Sequence, residues 1–149
     1  MNQKAVILLV ENDESDALLI CRAFAKAGVA TPHRIVKDAK VAISYLNGDG
    51  PYGDRKKHPL PGLVLLDLKL PGKDSFEVLK WIRRQPELKD LRVLVLISPY
   101  EIWDVNLARQ LGANSFLVKP LDFENVDALV ATLKRQRILR SETAEASTR

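Results

Sequence analysis

The sequence predicts an α/β fold in which five parallel strands form a sheet doubly wound with five helices. Three observations carry this reading. Short apolar runs alternate with helical patterns five times, the signature of a parallel sheet with helices on both faces. The first run, Lys4 to Val10, is almost continuously apolar, as a strand buried on both faces should be. The chain has 149 residues, 46% of them hydrophobic, which is enough for one domain with one core.

The elements follow in order. After the first strand, residues from Glu14 to Ala27 read as a helix with Ala17, Cys21, Phe24 and Ala25 inward and Gly28 as its terminator. A short strand is expected around His33 to Lys37. Asp38 then caps a helix carrying Val41, Ile43, Tyr45 and Leu46, which ends near Asn47-Gly48. GDGPYGDRKKHPLPG, rich in Gly, Pro and charge, reads as a long surface loop. The third strand, Leu63 to Leu66, runs into Asp67, and LKLPGKD is a turn. Asp74 with Glu77 three residues later forms a capping pair for a helix through Arg84, with Phe76, Leu79 and Ile82 apolar.

Arg92 to Ile97 is the fourth strand, stopped by Ser98-Pro99. A helix from about Glu101 to Leu111 carries Trp103, Leu107 and Leu111 at four-residue spacing, and Gly112 ends it. Ser115 to Lys119 is the fifth strand, ended by Pro120. Asp122 caps the last helix, where Val126, Leu129, Val130 and Leu133 follow the i, i+3, i+4, i+7 pattern. Residues 4–137 are the expected domain, and 138–149 a polar tail expected to be disordered.

Composition excludes several classes. Cys21 is the only cysteine, so there is no intrachain disulfide and no cysteine-based metal site; it reads as core filler. No apolar run reaches the roughly 18 residues of a membrane span, and the N-terminus lacks a cleavage-site pattern. A cytoplasmic protein without a membrane partner is expected. The net charge is +4, but the basic residues are dispersed. Their densest cluster, LKRQRILR, suits the end of the last helix, and no nucleic-acid partner is expected. His33 and His58 have no ligand spacing and read as ordinary polar residues. Trp81 and Trp103 read as packing or partner-surface residues.

The strand ends carry the chemistry. They are Glu11-Asn12-Asp13, Asp67, Ile97-Ser98 and Lys119-Pro120. In a doubly wound sheet the working groups gather at the C-terminal ends of the strands, where strand order reverses. Clustered carboxylates there suit a hard cation such as Mg²⁺, and a lysine suits a dianionic phosphoryl group. ILLVEN, LVLLDLKLPGKDSFEVL and LGANSFLVKP, in this order and spacing, resemble the receiver domains of response regulators in two-component signalling. The resemblance covers roughly residues 4 to 137 and implies a flavodoxin-like sheet with strand order 2-1-3-4-5.

The resemblance implies roles by position. Asp67 is the phosphoryl acceptor. Glu11, Asn12, Asp67 and the backbone carbonyl of Lys69 hold Mg²⁺. Lys119 contacts the phosphoryl oxygens, Ile97, Ser98 and Phe116 lie at the switch positions, and Pro71 and Pro120 shape the loops. It implies no separate enzyme, but a receiver that assists its own phosphotransfer and dephosphorylation. The implied partners are a sensor histidine kinase or phosphotransfer protein and a downstream target protein. Self-association into a homodimer stays open. The long loop resembles a subgroup of stand-alone regulators, some of which work with bacteriophytochromes.

Three positions depart from the family pattern. Asn12 stands where aspartate is usual, so a formal charge is missing from the metal set. Asp13 either compensates or caps the first helix, the second reading being slightly ahead. Ile97 stands where a hydroxyl residue is usual, and Ser98 beside it points to the other face of a strand. Ser75 replaces a common glycine and reads as a turn variation. Two functions follow: a phosphorylatable single-domain regulator, and a phosphorylation-independent interaction module on the same fold, which Asn12 and Ile97 favour. A haloacid-dehalogenase-like phosphatase would need an acid where Lys69 stands. A flavodoxin would need a Ser/Thr/Gly-rich loop in place of ENDESD.

Overall fold

The computed structural model describes residues 6–70, 74–119, 121 and 123–135. The sequence expectations at Pro71, Pro120 and Asp122, both domain limits and the tail lie outside the described residues. Five strands, β1 (Val6–Val10), β2 (His33–Val36), β3 (Pro61–Asp67), β4 (Arg92–Ile97) and β5 (Ser115–Val118), alternate with five helices. These are α1 (Glu14–Lys26), α2 (Ala39–Asn47), α3 (Asp74–Arg84), α4 (Val105–Gln110) and α5 (Phe123–Arg135). All strand pairs are parallel, in the order β2-β1-β3-β4-β5. This is the sheet the sequence predicts.

Side chains alternate across a strand, so each face of the sheet collects every second residue. Leu8, Val10, Val64, Leu66, Val93, Val95 and Ile97 pack with α2, α3 and α4. Ile7, Leu9, Leu63, Leu65, Leu94, Leu96 and Leu117 pack with α1 and α5. The helix stripes differ from expectation in two places. In α1, Ile20 is buried with Ala17 and Phe24, whereas Cys21 is half-buried and Ala25 exposed. The fourth helical segment also begins differently. Pro99–Asp104 winds as a 3₁₀ helix, and only Val105–Gln110 is α-helical. Its buried residues are Val105 and Ala108, whose compact side chains permit close approach to the sheet. Trp103 is therefore 86% exposed, and Leu107 also faces outward.

Two arginines do structural work. Arg83, at the end of α3, donates from Nε and Nη2 to the Gly112 carbonyl at 3.1 and 2.7 Å. Its Nη1 reaches the carbonyls of Leu88 and Lys89. Gly112 has a φ of 115°, and a Cβ there would lie 2.5 Å from Arg83 Cγ, so the helix stop is glycine for two reasons. Arg55, in the long loop, donates to the carbonyls of Tyr45 and Leu46 at the C-terminal end of α2, and to His58. The Tyr45 hydroxyl donates to the Pro59 carbonyl, and His58 packs edge-on against Tyr45 and Tyr52. The loop is thus stitched to α2.

His33 is more enclosed than an ordinary polar residue. It packs edge-on against Phe24, and its Nε2 is buried with no hydrogen-bond partner among the described residues. Burial lowers its pKa to about 4. The unfolded chain takes up a proton near pH 6.5 and the folded chain does not. The associated stability is present above pH 6.5 and is lost as the pH falls through about 4. Urea unfolding at pH 7 and pH 4.5 should show a smaller acid loss in His33→Phe than in the unaltered chain.

Candidate functional site

β1, β3 and β5 run parallel, and the residues just past their apolar stretches emerge at one end of the sheet. Glu11 continues the alternation of Ile7 and Leu9, Asp67 that of Leu63 and Leu65, and Lys119 that of Leu117. All three therefore lie on the α1/α5 side, at the crevice where strand order reverses between β1 and β3.

Their charged groups meet. Lys119 Nζ lies 2.7 Å from Glu11 Oε1 and 3.1 Å from Asp67 Oδ2. Glu11 and Asp67 are 2% and 3% exposed, so neither carboxylate finds bulk water. Burial and hydrogen bonding with the Asp67 carboxyl push Glu11 up to about 7, against the lowering pull of Lys119. Burial alone lowers the Lys119 ammonium. The hydrogen bond to Glu11 and the charge of Asp67 more than offset this, leaving it above the usual lysine range. The backbone N–H of Lys119 donates to the Ile97 carbonyl at 2.7 Å, which fixes the root of the side chain.

The neighbours arrange this centre. Asp67 Oδ1 accepts the backbone N–H of Lys69 at 3.0 Å, which starts the turn after β3. Ser75, read from sequence as a turn variation, has a larger role. It is fully buried in the first turn of α3, and its hydroxyl donates to the Asp67 backbone carbonyl. A glycine could not make this tie. Asn12 is exposed beside the cluster. Asp13 is exposed and caps α1, its carboxylate accepting the Asp16 N–H at 2.9 Å.

At the switch positions, Ile97 is completely buried among the residues facing α3 and α4. Ser98 is the N-cap of the following 3₁₀ segment, in a capping box with Glu101. Its hydroxyl donates to Glu101 Oε1 at 3.2 Å, and the same oxygen accepts the Ser98 N–H at 2.8 Å. Phe116 is half-buried, with the Arg109 guanidinium 5.7 Å from its ring centre. Two site neighbours escaped the sequence reading. Glu101 was legible as the acid three residues after a serine. Asp16 sits 3.0 Å from Lys119 Nζ, and its only signal was its spacing from Asp13.

The donor set suits a hard cation. Two buried carboxylates already share one, the Lys119 ammonium, which shows that the crevice accommodates positive charge. No group of three or more His, Cys, Asp or Glu side chains converges for metal binding among the described residues. Glu11 and Asp67 would supply the acidic oxygens, with the rest coming from amide, carbonyl or water.

The acid pair and the lysine meet at the switch point of a 2-1-3-4-5 sheet. The chain belongs to the response regulator receiver domain family, which it matches over residues 7–131. Receiver domains act in two-component signalling and bind a divalent metal. The chain is 38% identical over 132 residues to the probable methanogenesis regulatory protein FilR2 of Methanothrix harundinacea, covering 87% of this chain and 81% of that protein. It is 33% identical to response regulator Rcp1 of Synechocystis sp., covering 87% and 86%. The Mn²⁺-bound structure of Rcp1 superposes with a TM-score of 0.70 at 32% identity, covering 87% and 91%. The bacteriophytochrome response regulator AtBRR superposes with a TM-score of 0.75 at 34% identity, covering 89% and 94%. Among the described residues no helix is long and apolar enough to cross a membrane.

Removing the ammonium tests the electrostatics. Lys119→Met leaves Glu11 and Asp67 buried without their cation, a loss of about 3–5 kcal/mol by the usual cost of breaking a buried ion pair. In a chelator at pH 8 the variant should show this loss in urea unfolding. At pH 5.5 much of it should return, because one carboxyl then takes up a proton.

Proposed function

We propose that the chain is a response regulator that accepts a phosphoryl group on Asp67 from a histidine kinase or phosphotransfer protein. The observation that carries this reading is the meeting of Glu11 and Asp67 within 3.1 Å of the Lys119 ammonium. An Asp67 carboxylate oxygen attacks the phosphorus of a phosphohistidine. The new P–O bond forms as the P–N bond breaks, and the imidazole leaves with the bonding pair and takes up a proton. Glu11, Asn12, Asp67 and the Lys69 carbonyl would hold Mg²⁺, which when bound neutralises charge on the phosphoryl oxygens. Lys119 contributes a further positive charge to those oxygens.

A bacteriophytochrome is the sensor type suggested by AtBRR. For the output, Tyr100, Ile102, Trp103, Leu107 and Val118 are exposed apolar side chains of the β4-to-β5 segment, suited to a protein partner or a second copy of the chain.

A second reading rests on the strand β4 end. Ile97 offers no hydroxyl to a phosphoryl group, and the Ser98 hydroxyl is engaged by Glu101. A receiver built this way works as a phosphorylation-independent interaction module.

Incubation with acetyl phosphate and Mg²⁺, followed by intact mass, separates the two. One phosphoryl adduct that vanishes in Asp67→Asn is expected for the first. No adduct from any donor, with partner binding unchanged in Asp67→Asn, would establish the second. Asn12→Asp adds a formal negative charge to the metal set and should tighten Mg²⁺ binding about tenfold, an order-of-magnitude expectation for ligand charge. Isothermal titration measures it.

A further inference from the structure

The Lys119 ammonium has three N–H donors, and three carboxylates surround it. Glu11 and Asp67 belong to the strand ends. The third, Asp16, stands on the first turn of α1, with Oδ2 at 3.0 Å and a side chain 40% exposed. The way α1 begins leaves Asp16 free for this contact. Asp13 is the N-cap and accepts the Asp16 N–H. In a reciprocal capping box the acid at the third helical position turns back to accept the cap's own backbone N–H. Here that N–H donates to Glu11 Oε2 instead, at 3.2 Å. Glu11 thus takes over one half of the box, and the Asp16 carboxylate reaches across to β5.

We infer that Asp16 is a positioning residue that seats Lys119. The inference rests on the phosphoacceptor reading for its consequence, but not for its geometry. A divalent cation drawn to Glu11 and Asp67 occupies oxygens that the ammonium now uses. Asp16 lies outside that pair and keeps its hold. Lys119 then stays at the crevice, tethered on the α1 side, and a phosphoryl group on Asp67 must draw the ammonium against that tether. The pair is half-exposed, so its hold is modest and reversible.

Two measurements on the full chain test this. The first is NMR of the Lys119 side-chain ammonium during Mg²⁺ titration. With Mg²⁺ saturating, the slowly exchanging ammonium signal should persist in the unaltered chain, be lost in Asp16→Asn, and return in part in Asp16→Glu. The second is the rate of adduct formation with acetyl phosphate, which should rise about two- to fivefold in Asp16→Asn, the range for one half-exposed ion pair. An ammonium signal that responds to Mg²⁺ identically in the unaltered chain and Asp16→Asn overturns the inference. So does an Asp16→Asn chain that loses thermal stability alone and loads at the original rate or slower. An unaltered chain that takes up no phosphoryl group, yet shows the Asp16-dependent signal, defeats the functional reading and upholds the seat.

Discussion

Two carboxylates sit buried in one crevice, and a cation must stand between them. That constraint organises the molecule. Glu11 and Asp67 are both nearly inaccessible, and burying even one unpaired charge costs several kcal/mol. Lys119 answers both at once. It can do so only because β1, β3 and β5 run parallel and because the three residues share one side of the pleat. A slip of one residue in any of these strands would send its charged group into the layer under α3 and α4. The apolar runs that build the sheet therefore also aim the charges, and the core and the site are set by the same register.

Much of this was legible before any coordinates. The strand ends at Glu11, Asp67 and Ile97 follow from apolar runs of distinct length, and α3 ends at Arg84 as expected, with Asp74 its first residue. The less legible parts share a cause. The four-residue spacing of Trp103, Leu107 and Leu111 suits a buried stripe as well as an outward one. Periodicity cannot choose between them when Val105 and Ala108 offer a narrower alternative. Asp16 was hidden for another reason. An acid in the first turn of a helix has a sufficient local explanation in the helix dipole. Its actual partner lies 103 residues away. Ser75 was discounted because a serine in place of glycine looks permissive, whereas its hydroxyl ties α3 to the end of β3.

The far side of the crevice is held by its own local contacts. Ile97 locks into the core, and Ser98 with Glu101 closes a local capping box. A hydroxyl already held by its own chain must break that bond before it can serve another group. The exposed Tyr100 lies within this box and the exposed Trp103 two residues beyond it.

The connection between α2 and β3 has the length and composition of a tether, yet Arg55 fastens its middle and Tyr45 its far end. Such a segment behaves as masonry rather than rope. Adding or deleting a residue there would shift the guanidinium off the helix terminus and expose the carbonyls of Tyr45 and Leu46. Length variation, normally harmless in a connection of this size, would be felt at the end of α2.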